Sequence, residues 1–297
     1  MKERLSDYKA VIIGGSSFVG TTLMRSLSSF GFNVVGTYFR NPRNGLTYLD
    51  ITDERAVAEF ISREKPDVVV NSMTLPFADC EKDPELADRL IVGGARNLVS
   101  PTKDLGAILI HASTDYVYDG GNRVCKETDT LKPLSVYGNA KARSEDVVLR
   151  YDKSVVFRLS SMYGYNGRNL DNRFVGAILN ASGDVEFGDV QKKHELYIGN
   201  VVSAVTSFLV NPSGLGLIVY NFGGPEAISK YELASELRAL NPKIISIRPG
   251  NKIGPNVPRK IEMDLSRIRR LPLPLGLTSA RDSVDGIRDT IKIFDKN

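Results

Sequence analysis

Short runs rich in apolar and β-branched residues alternate with stretches of helical periodicity through the first half of the chain. The short runs predict strands, and they lie at residues 10–13, 33–38, 46–51, 66–71, 107–113 and 154–159. The periodic stretches predict helices at residues 21–27, 54–64, 84–100 and 141–151. Repeated β-α units of this kind favour a parallel sheet that helices cover on both faces.

After residue 159 the alternation loosens. Residues 163–172 are rich in Gly, Asn and Tyr, which is typical of a loop near a site. Further helices are predicted at 173–182, 201–209, 230–240 and 283–294, with β-like runs at 217–222 and 244–247. In an open parallel sheet, ligands bind outside the carboxyl ends of the strands, so we expect the chemistry at that edge.

A glycine-rich turn follows the first predicted strand and opens the first predicted helix. It contains Gly14, Gly15 and Gly20. Glycines at such a turn let the backbone approach a pyrophosphate, and N–H groups at the helix terminus then bind its charge. Ser17 stands where a G-x-x-G-x-x-G pattern has its middle glycine, and a turn of this kind can also be purely structural.

The end of the second predicted strand bears on the choice of cofactor. NAD sites usually place Asp or Glu there, on the ribose 2′-hydroxyl. In this chain Tyr38 is followed by Phe39 and Arg40, with Arg43 nearby. Arg40, with or without Arg43, can form a charge-assisted pair with a 2′-phosphate. The alternative is two solvated arginines in a surface loop, but the sequence favours NADP (NADPH) over NAD.

Candidate proton-transfer groups lie in the middle of the chain. Ser113-Thr114-Asp115 ends the fifth predicted strand, and Tyr137 and Lys141 follow with a spacing of four. That spacing puts both side chains on one helical face. There a lysine cation is expected to lower the pKa of Tyr137 below the usual value of about 10, which suits proton transfer near neutrality. The Tyr-x-x-x-Lys pattern alone is weak, and its surroundings give it weight.

Length, composition and charge narrow the classes of function. The 297 residues, 42% hydrophobic and 25% charged, suit a globular enzyme with a dinucleotide-binding domain and a smaller lobe. We expect a Rossmann-type doubly wound α/β fold, with residues 1–165 as the NADP-binding domain and 166–297 as mainly the substrate-binding lobe. Residues of about 201–222 are expected to return to the Rossmann sheet. The net charge of +4 is not concentrated in one tail and does not support a nucleic-acid partner.

Several other classes are disfavoured. No apolar stretch approaches the length of a membrane span, and the N-terminus lacks the apolar core of a signal peptide. Two cysteines, Cys80 and Cys125, do not form a disulfide framework, so a cytoplasmic location is expected. Two histidines, His111 and His194, argue against a structural zinc site. A Ser-His-Asp hydrolase would have to use one of them without a nucleophile-elbow motif.

Taken together, these motifs resemble the extended short-chain dehydrogenase/reductases that act on nucleotide sugars, and among them the dTDP-4-dehydrorhamnose reductase family. The resemblance covers nearly the whole chain, is clearest over residues 8–165, and rests on residues 113–120 and 137–141. Supporting matches lie at residues 79–81, 94–98, 158, 163–164 and 221–225. The regulatory β-subunit of methionine adenosyltransferase resembles the same family, which leaves a non-catalytic role open.

The resemblance implies a role for each catalytic candidate. Tyr137 would donate the proton, and Lys141 would bind the nicotinamide ribose. Thr114 would hydrogen-bond the substrate carbonyl with Asp115 beside it, although Asp115 can equally be a turn or capping residue. The implied cofactor contacts are Gly14, Ser16, Ser17, Phe18, Val19, Gly20, Arg40, Asp50, Ile51, Asn71, Ser72, Met73, Tyr137, Lys141, Leu159 and Ser160.

Substrate contacts are implied for Thr114, Tyr137 and Arg259, and no metal is required. Arg259 would meet the substrate diphosphate, for which Lys192, Lys193 and Arg168 are further candidates. Each of these four cations is otherwise an ordinary solvated charge.

The predicted activity is NADPH-dependent reduction of a 4-keto-6-deoxy sugar attached to a nucleotide. The predicted partner is this small molecule; neither a nucleic acid nor a membrane is expected, and a homodimer stays open. One alternative is a nucleotide-sugar epimerase or dehydratase with a retained NAD, against which the missing acid after the second strand argues. The other is a regulatory subunit that holds NADP without turnover and joins a synthetase.

Overall fold

The computed structural model describes residues 4–121, 123–164, 173–211, 218–251, 256–271, 278–279, 281–285 and 287–288. The strands are β1 Lys9–Ile13, β2 Asn33–Tyr38, β3 Leu46–Tyr48, β4 Val68–Asn71, β5 Ile108–Thr114, β6 Val124–Cys125, β7 Ser154–Leu159, β8 Met162–Tyr163, β9 Gly183–Gly188, β10 Lys192–Lys193, β11 Leu196–Tyr197, β12 Val219–Phe222, β13 Ile228–Ser229, β14 Ile244–Gly250 and β15 Lys260–Met263. The helices are α1 Phe18–Ser29, α2 Glu54–Glu64, α3 Phe77–Lys82, α4 Pro84–Ala87, α5 Gly94–Asp104, α6 Val136–Val148, α7 Arg173–Asn180, α8 Ile198–Val210 and α9 Lys230–Leu237. A π-helical segment, Asp88–Gly93, joins α4 to α5.

The central sheet has seven parallel strands in the order β12-β7-β5-β4-β1-β2-β3. This confirms the predicted Rossmann-type α/β fold. Every residue of β4 and β7 is buried, because helices cover both faces of the sheet. In the register, Asn71 lies beside both Ile13 and His111, and Thr114 lies beside Leu159. The strands that carry the candidate chemistry therefore end together at one edge.

Local capping explains where two key helices begin. The Asp53 side chain accepts a hydrogen bond from the Ala56 N–H at 2.9 Å, so α2 begins at Glu54, as predicted. The Ser135 hydroxyl accepts a hydrogen bond from the Gly138 N–H at 3.0 Å, so α6 begins at Val136. The helical stretch predicted at 141–151 thus begins earlier, and Tyr137 and Lys141 lie together in the first half of α6, as their spacing predicted.

The remaining strands form smaller sheets. One has the order β13-β10-β15-β6, and two more pair β14 with β9 and β11 with β8. Helix α9 packs against β9 and β14, and α8 packs against α1. Strand β12 lies in the central sheet, as expected for residues 217–222. The division of the chain at residue 165 stays a prediction.

Several other boundaries differ from the sequence pattern. The predicted helix at 84–100 is α4, the π-helical segment and α5, and it extends to Asp104. The predicted strand at 46–51 ends at Tyr48. Most of the predicted loop at 163–172 and of the last helix at 283–294 lies outside the described residues. Within the described part of the chain, every helix is too short or too polar to cross a membrane.

Candidate active site

The turn between β1 and α1 can be made only with glycines at two positions. Gly14 has a φ of +79°, a left-handed conformation that side chains disfavour. A Cβ at Gly20 would lie 2.2 Å from the Gly14 carbonyl oxygen, so α1 packs directly on the turn. The Ser17 hydroxyl accepts a hydrogen bond from the Gly20 N–H at 3.0 Å and caps the helix. Ser17 therefore has a structural reason to stand where a third glycine was expected.

A cavity of about 260 Å³ adjoins this turn. Its lining residues are Gly14, Ser16, Ser17, Phe39, Arg40, Asn41, Met73, Thr74, Leu75, Pro76, Asp79 and Leu90. The exposed Arg40 guanidinium lies over the Phe39 ring, 5.4 Å from its centroid. Arg43 instead donates a hydrogen bond to the Thr21 hydroxyl at 3.1 Å. Of the two candidate arginines, Arg40 is the one that lines the cavity.

The other expected cofactor contacts fall into four pairs. Asn71 and Ser72 are buried behind the cavity, where the Ser72 hydroxyl donates to the Ile13 carbonyl at 2.8 Å. Asp50 accepts a hydrogen bond from the Thr52 N–H at 2.9 Å, and Ile51 packs beneath Gly94. Phe18 and Val19 lie in the first turn of α1. Leu159 ends β7 beside Thr114, and Ser160 follows it.

Helix α6 brings Tyr137 to the edge of the sheet. Its second amide, the Tyr137 N–H, donates to the Glu81 carboxylate at 3.1 Å, and a carboxylate is stabilised at a helix N-terminus. The Tyr137 ring makes edge-to-face contacts with Phe77 and Tyr116, with centroid distances of 6.1 and 6.3 Å. Three elements, α3, the turn after β5 and α6, thus fix the orientation of this phenol.

Burial raises the pKa of Tyr137, while side-chain hydrogen bonds with Thr74 and Thr114 act in the opposite direction. The expected lowering of this pKa by Lys141 was therefore wrong in direction. The physical reason is that burial of the Tyr137 phenol outweighs these hydrogen bonds. The Lys141 ammonium, in a side chain that is 2% exposed, donates instead to the Ala112 carbonyl at 2.8 Å and the Met73 carbonyl at 3.4 Å. Burial lowers the pKa of Lys141 to about 8.

Asp115 is buried and lies in an ion pair that the sequence did not indicate. Its Oδ2 is 2.9 Å from the Lys193 ammonium and accepts a hydrogen bond from the Ser160 hydroxyl at 2.9 Å. Lys193 also donates to the Ser161 hydroxyl at 3.1 Å and lies 4.0 Å from the centroid of the Tyr116 ring. Burial disfavours the Lys193 ammonium, but Asp115, Tyr116 and Glu195 together outweigh burial, so the pKa of Lys193 is raised.

The candidate diphosphate contacts are therefore unequal. Lys193 is 3% exposed and paired, so its interpretation as a solvated cation or a diphosphate ligand was wrong. Lys192 forms a half-exposed pair with Glu232 at 2.7 Å. Arg259 is exposed, and its backbone carbonyl accepts from the Lys192 N–H at 2.9 Å. Arg168 lies outside the described residues.

A second buried ion pair, between Arg158 and Glu145, lies next to the candidate site. Arg158 donates to both oxygens of Glu145, from Nη2 to Oε2 at 2.7 Å and from Nε to Oε1 at 3.2 Å. Its Nη1 donates to the Tyr118 hydroxyl at 2.8 Å, and the Ser113 hydroxyl donates to Glu145. Glu145 is on α6 and Arg158 is on β7, so the pair anchors the helix that carries Tyr137.

Sequence reasoning missed the contacts of three residues of this region: Glu81, His111 and Lys193. Glu81 lay within the residues that carried the family resemblance, which was the available signal. His111 was considered only as a metal ligand or a hydrolase base, whereas it hydrogen-bonds Asn71 and Ser144 in the sheet interior. Lys193 carries no local signal, because its partner lies 78 residues earlier in the sequence.

The chain is similar to known proteins in sequence and in fold. The model of a family described as the RmlD substrate binding domain matches residues 8–250. Methionine adenosyltransferase 2 subunit beta from Rattus norvegicus is 26% identical over 280 residues, covering 89% of this chain and 82% of the relative. A dTDP-4-dehydrorhamnose reductase from Salmonella typhimurium is 32% identical over 162 residues, covering 54% of this chain and 53% of the relative. The crystal structure of dTDP-4-dehydrorhamnose reductase from Bacillus anthracis in complex with NADP has a TM-score of 0.81 at 19% identity and covers 95% of this chain and 99% of that one.

Proposed function

Because the chain belongs to the RmlD substrate-binding-domain family, we propose that it catalyses the NADPH-dependent reduction of a nucleotide-linked 4-keto-6-deoxy sugar. The observation that carries the proposal is the meeting of Thr114, Tyr137 and Lys141 at the sheet edge, beside the glycine turn. The name of the Salmonella typhimurium relative supports the substrate class, and the NADP complex of the Bacillus anthracis enzyme supports the cofactor.

The residues at the glycine turn fit a dinucleotide. Gly14 and Ser17, the N-cap of α1, line the cavity, so a pyrophosphate bound there would lie at the N-terminus of this helix. Strand β2 ends without an acidic side chain, and Arg40 lines the cavity where a 2′-phosphate would need a cation. When bound, NADPH would supply the hydride. Met73 and Lys141, joined through the Met73 carbonyl, would hold the nicotinamide end.

Tyr137 would supply the proton for the keto oxygen. Its raised pKa keeps the phenol protonated at neutral pH, which suits a proton donor in the direction of reduction. Thr114 would donate a hydrogen bond to the same oxygen and keep the carbonyl in reach of the phenol. As negative charge develops on that oxygen, the O–H bond of Tyr137 breaks and the alcohol forms. Hydrogen bonds with Thr74 and Thr114, which favour the ionised phenol, then stabilise the tyrosinate until it regains a proton.

Replacement of Tyr137 by Phe tests the proton donor. We expect Tyr137→Phe to lower the rate of NADPH oxidation with dTDP-4-keto-6-deoxy-L-sugar at least 100-fold, because general acid catalysis contributes about 10² to 10⁴. The Kd for NADPH should stay within about threefold of wild type, since the ring and its contacts with Phe77 and Tyr116 remain. A variant that turns over at the wild-type rate would exclude Tyr137 as the donor.

Replacement of Arg40 tests the choice of cofactor. Because a charge-assisted pair contributes about 1.5–3 kcal/mol, Arg40→Ala should weaken NADPH binding by about tenfold or more and leave NADH binding unchanged. Arg43→Ala is the matched control, since Arg43 is held on the Thr21 hydroxyl. Titration of both cofactors by fluorescence measures the effect. Equal losses for the two cofactors would remove the 2′-phosphate role of Arg40.

A second candidate function is favoured by the match to methionine adenosyltransferase 2 subunit beta over 89% of this chain. In that case the chain would hold NADP without turnover and regulate a synthetase. Size-exclusion chromatography with a methionine adenosyltransferase catalytic subunit, with and without NADPH, distinguishes the two. Co-migration together with NADPH binding and no oxidation of any nucleotide-linked keto sugar would favour the regulatory role. Oxidation that Tyr137→Phe abolishes would favour the reductase.

A further inference from the structure

A series of buried hydrogen bonds connects the end of β4, next to the cavity at the glycine turn, to helix α6. Its members are Asn71 at the end of β4, His111 in the middle of β5 and Ser144 on α6, each at most 2% exposed. The Asn71 amide nitrogen is 3.2 Å from His111 Nδ1, and His111 Nε2 is 2.9 Å from the Ser144 hydroxyl. The Ser144 hydroxyl is 2.7 Å from the Lys141 carbonyl.

The direction of every hydrogen bond in this series follows from that of Asn71, its first residue. The Asn71 carbonyl Oδ1 accepts from the Met73 N–H at 3.2 Å, so the amide nitrogen of Asn71 is the group that faces His111. His111 Nδ1 must then accept, and its proton lies on Nε2, which donates to Ser144. Ser144 in turn donates to the Lys141 carbonyl, which has no proton to give. His111 is therefore the neutral Nε2–H tautomer.

The series of hydrogen bonds closes into a ring through Lys141. The Lys141 ammonium donates to the Met73 carbonyl at 3.4 Å, while the Met73 N–H is bound by Asn71. Met73 lines the cavity beside the glycine turn, and Lys141 follows Tyr137 by one helical turn. The ring thus connects the segment that would contact the cofactor with the helix that carries the proton donor, and His111 is the link at its centre.

We propose that His111 is a positioning residue. Its Nε2–H tautomer fixes the distance between Met73 and Lys141, and this distance aligns the nicotinamide with Tyr137. The inference rests on the proposed function, because it concerns the geometry of the same site. A proton on Nδ1 would face the N–H group of Asn71 and open the ring. Burial, and next the charge of Lys141, lower the pKa of His111 well below its usual value, which agrees with a permanently neutral ring.

Imidazole nitrogen NMR tests the tautomer without any assay of activity. The chain has two histidines, and His194 Nδ1 donates to the Gly224 carbonyl at 2.8 Å, so the two rings should be opposite tautomers. With 15N-histidine labelling, His194→Asn assigns the remaining signals to His111. We expect a neutral Nε2–H spectrum for His111 between about pH 5.5 and 8. An Nδ1–H or doubly protonated His111 in that range would overturn the proposal.

Kinetic variants test the positioning role. Because a misplacement of about 1 Å can lower a rate 100-fold, His111→Leu should lower kcat for NADPH oxidation by about 10- to 100-fold. It should weaken NADPH binding less, by about threefold. His111→Gln offers one acceptor and one donor and should recover part of kcat, whereas a role in stability alone would change the melting temperature without this split. His194→Asn, which keeps the donor to Gly224, is the matched control with wild-type kcat.

Two further results keep the test decisive. Where His111→Leu fails to fold, Ser144→Ala cuts the ring on the helix side and should lower kcat at least threefold; an unchanged kcat would overturn the proposal. If the wild-type protein binds NADPH without any turnover, the proposed reductase function is wrong. The role of the hydrogen-bonded ring can then still be tested by measuring the affinity for NADPH. In that case an unchanged Kd for NADPH in folded His111→Leu or Ser144→Ala would overturn the positioning role, and a weakened Kd would support it.

Discussion

The two buried ion pairs near the candidate site differ in what they connect. Arg158 and Glu145 join α6 to β7 inside one sheet-and-helix layer, with Arg158 forking over both carboxylate oxygens. Lys193 and Asp115 join β10 of a smaller sheet to the turn after β5, with a single 2.9 Å contact. A fork gives geometric specificity, and an ammonium acts as a point charge. The Arg158–Glu145 pair therefore fixes the position of α6. The Lys193–Asp115 pair places charged groups next to Thr114 in the candidate site.

Their surroundings sharpen this difference. Arg158 also donates to the Tyr118 hydroxyl, which in turn donates to Asn221 at 2.7 Å, so the first pair belongs to a network that spans three strands. Lys193 lies against the Tyr116 ring, and the charge of Asp115 contributes to the raised pKa of Tyr137. Loss of the first pair should therefore change mainly stability. Loss of the second should change mainly turnover.

The largest effect on stability is expected from Arg158→Met. Removing one partner of a buried pair leaves an uncompensated charge, so the free energy of unfolding should fall by about 3–5 kcal/mol. Arg158→Met with Glu145→Gln removes both charges and should recover part of that loss. Urea unfolding followed by circular dichroism measures both variants. A loss below about 1 kcal/mol for the single variant would contradict the role of this network.

Lys193→Met is expected to cost less stability and more activity. Asp115 keeps its hydrogen bond from Ser160, so the loss should lie near the lower end of the range, about 3 kcal/mol. Turnover should fall at least tenfold, because the unpaired carboxylate adjoins Thr114 and influences the pKa of Tyr137. Lys192→Met is the matched control, since its half-exposed pair with Glu232 contributes at most about 1 kcal/mol. If the two lysine variants have the same turnover, the comparison between the pairs fails.

The same contrast explains what could be predicted from the sequence. Strand β2, helix α2 and strand β7 have the predicted bounds, because each has a strong periodic pattern or a local cap. Strands β6, β8, β10, β11 and β13 have two residues each, too few for any periodicity to appear. The pairing of Lys193 with Asp115 depends on how one of these short strands meets another sheet, so the pattern of charges alone indicated a solvated lysine.

The site shows a related limit. The spacing of Tyr137 and Lys141 correctly placed both on one helix, but a spacing does not indicate burial. Burial decides the direction in which the pKa of Tyr137 moves, and it depends on Phe77, Tyr116 and the rest of the packing around the ring. Lys141 is held by the carbonyls of Ala112 and Met73, contacts that only the folded sheet creates.

The smallest effect concerns the two histidines, one near each pair. Burial lowers the pKa of both His111 and His194 from the usual 6.5. A lowered pKa contributes stability above pH 6.5 that is lost as the pH falls through the native value, because the unfolded chain binds the proton first. Between pH 7 and 5.5, each histidine should therefore lower the free energy of unfolding, because the unfolded chain takes up a proton that the folded chain does not.

His194→Asn isolates one of these contributions. The variant keeps a donor for the Gly224 carbonyl, so its stability at pH 7.5 should be close to wild type. As the pH falls to 5.5, its free energy of unfolding should decrease less than that of wild type, since His111 is then the histidine that takes up a proton on unfolding. Urea unfolding at several pH values measures the difference between the two proteins, in which the carboxylate titrations cancel. Identical pH dependence would mean that His194 has the same pKa in the folded and the unfolded chain. The His194 side chain, which is buried in the structure, would then be in contact with water in the folded protein.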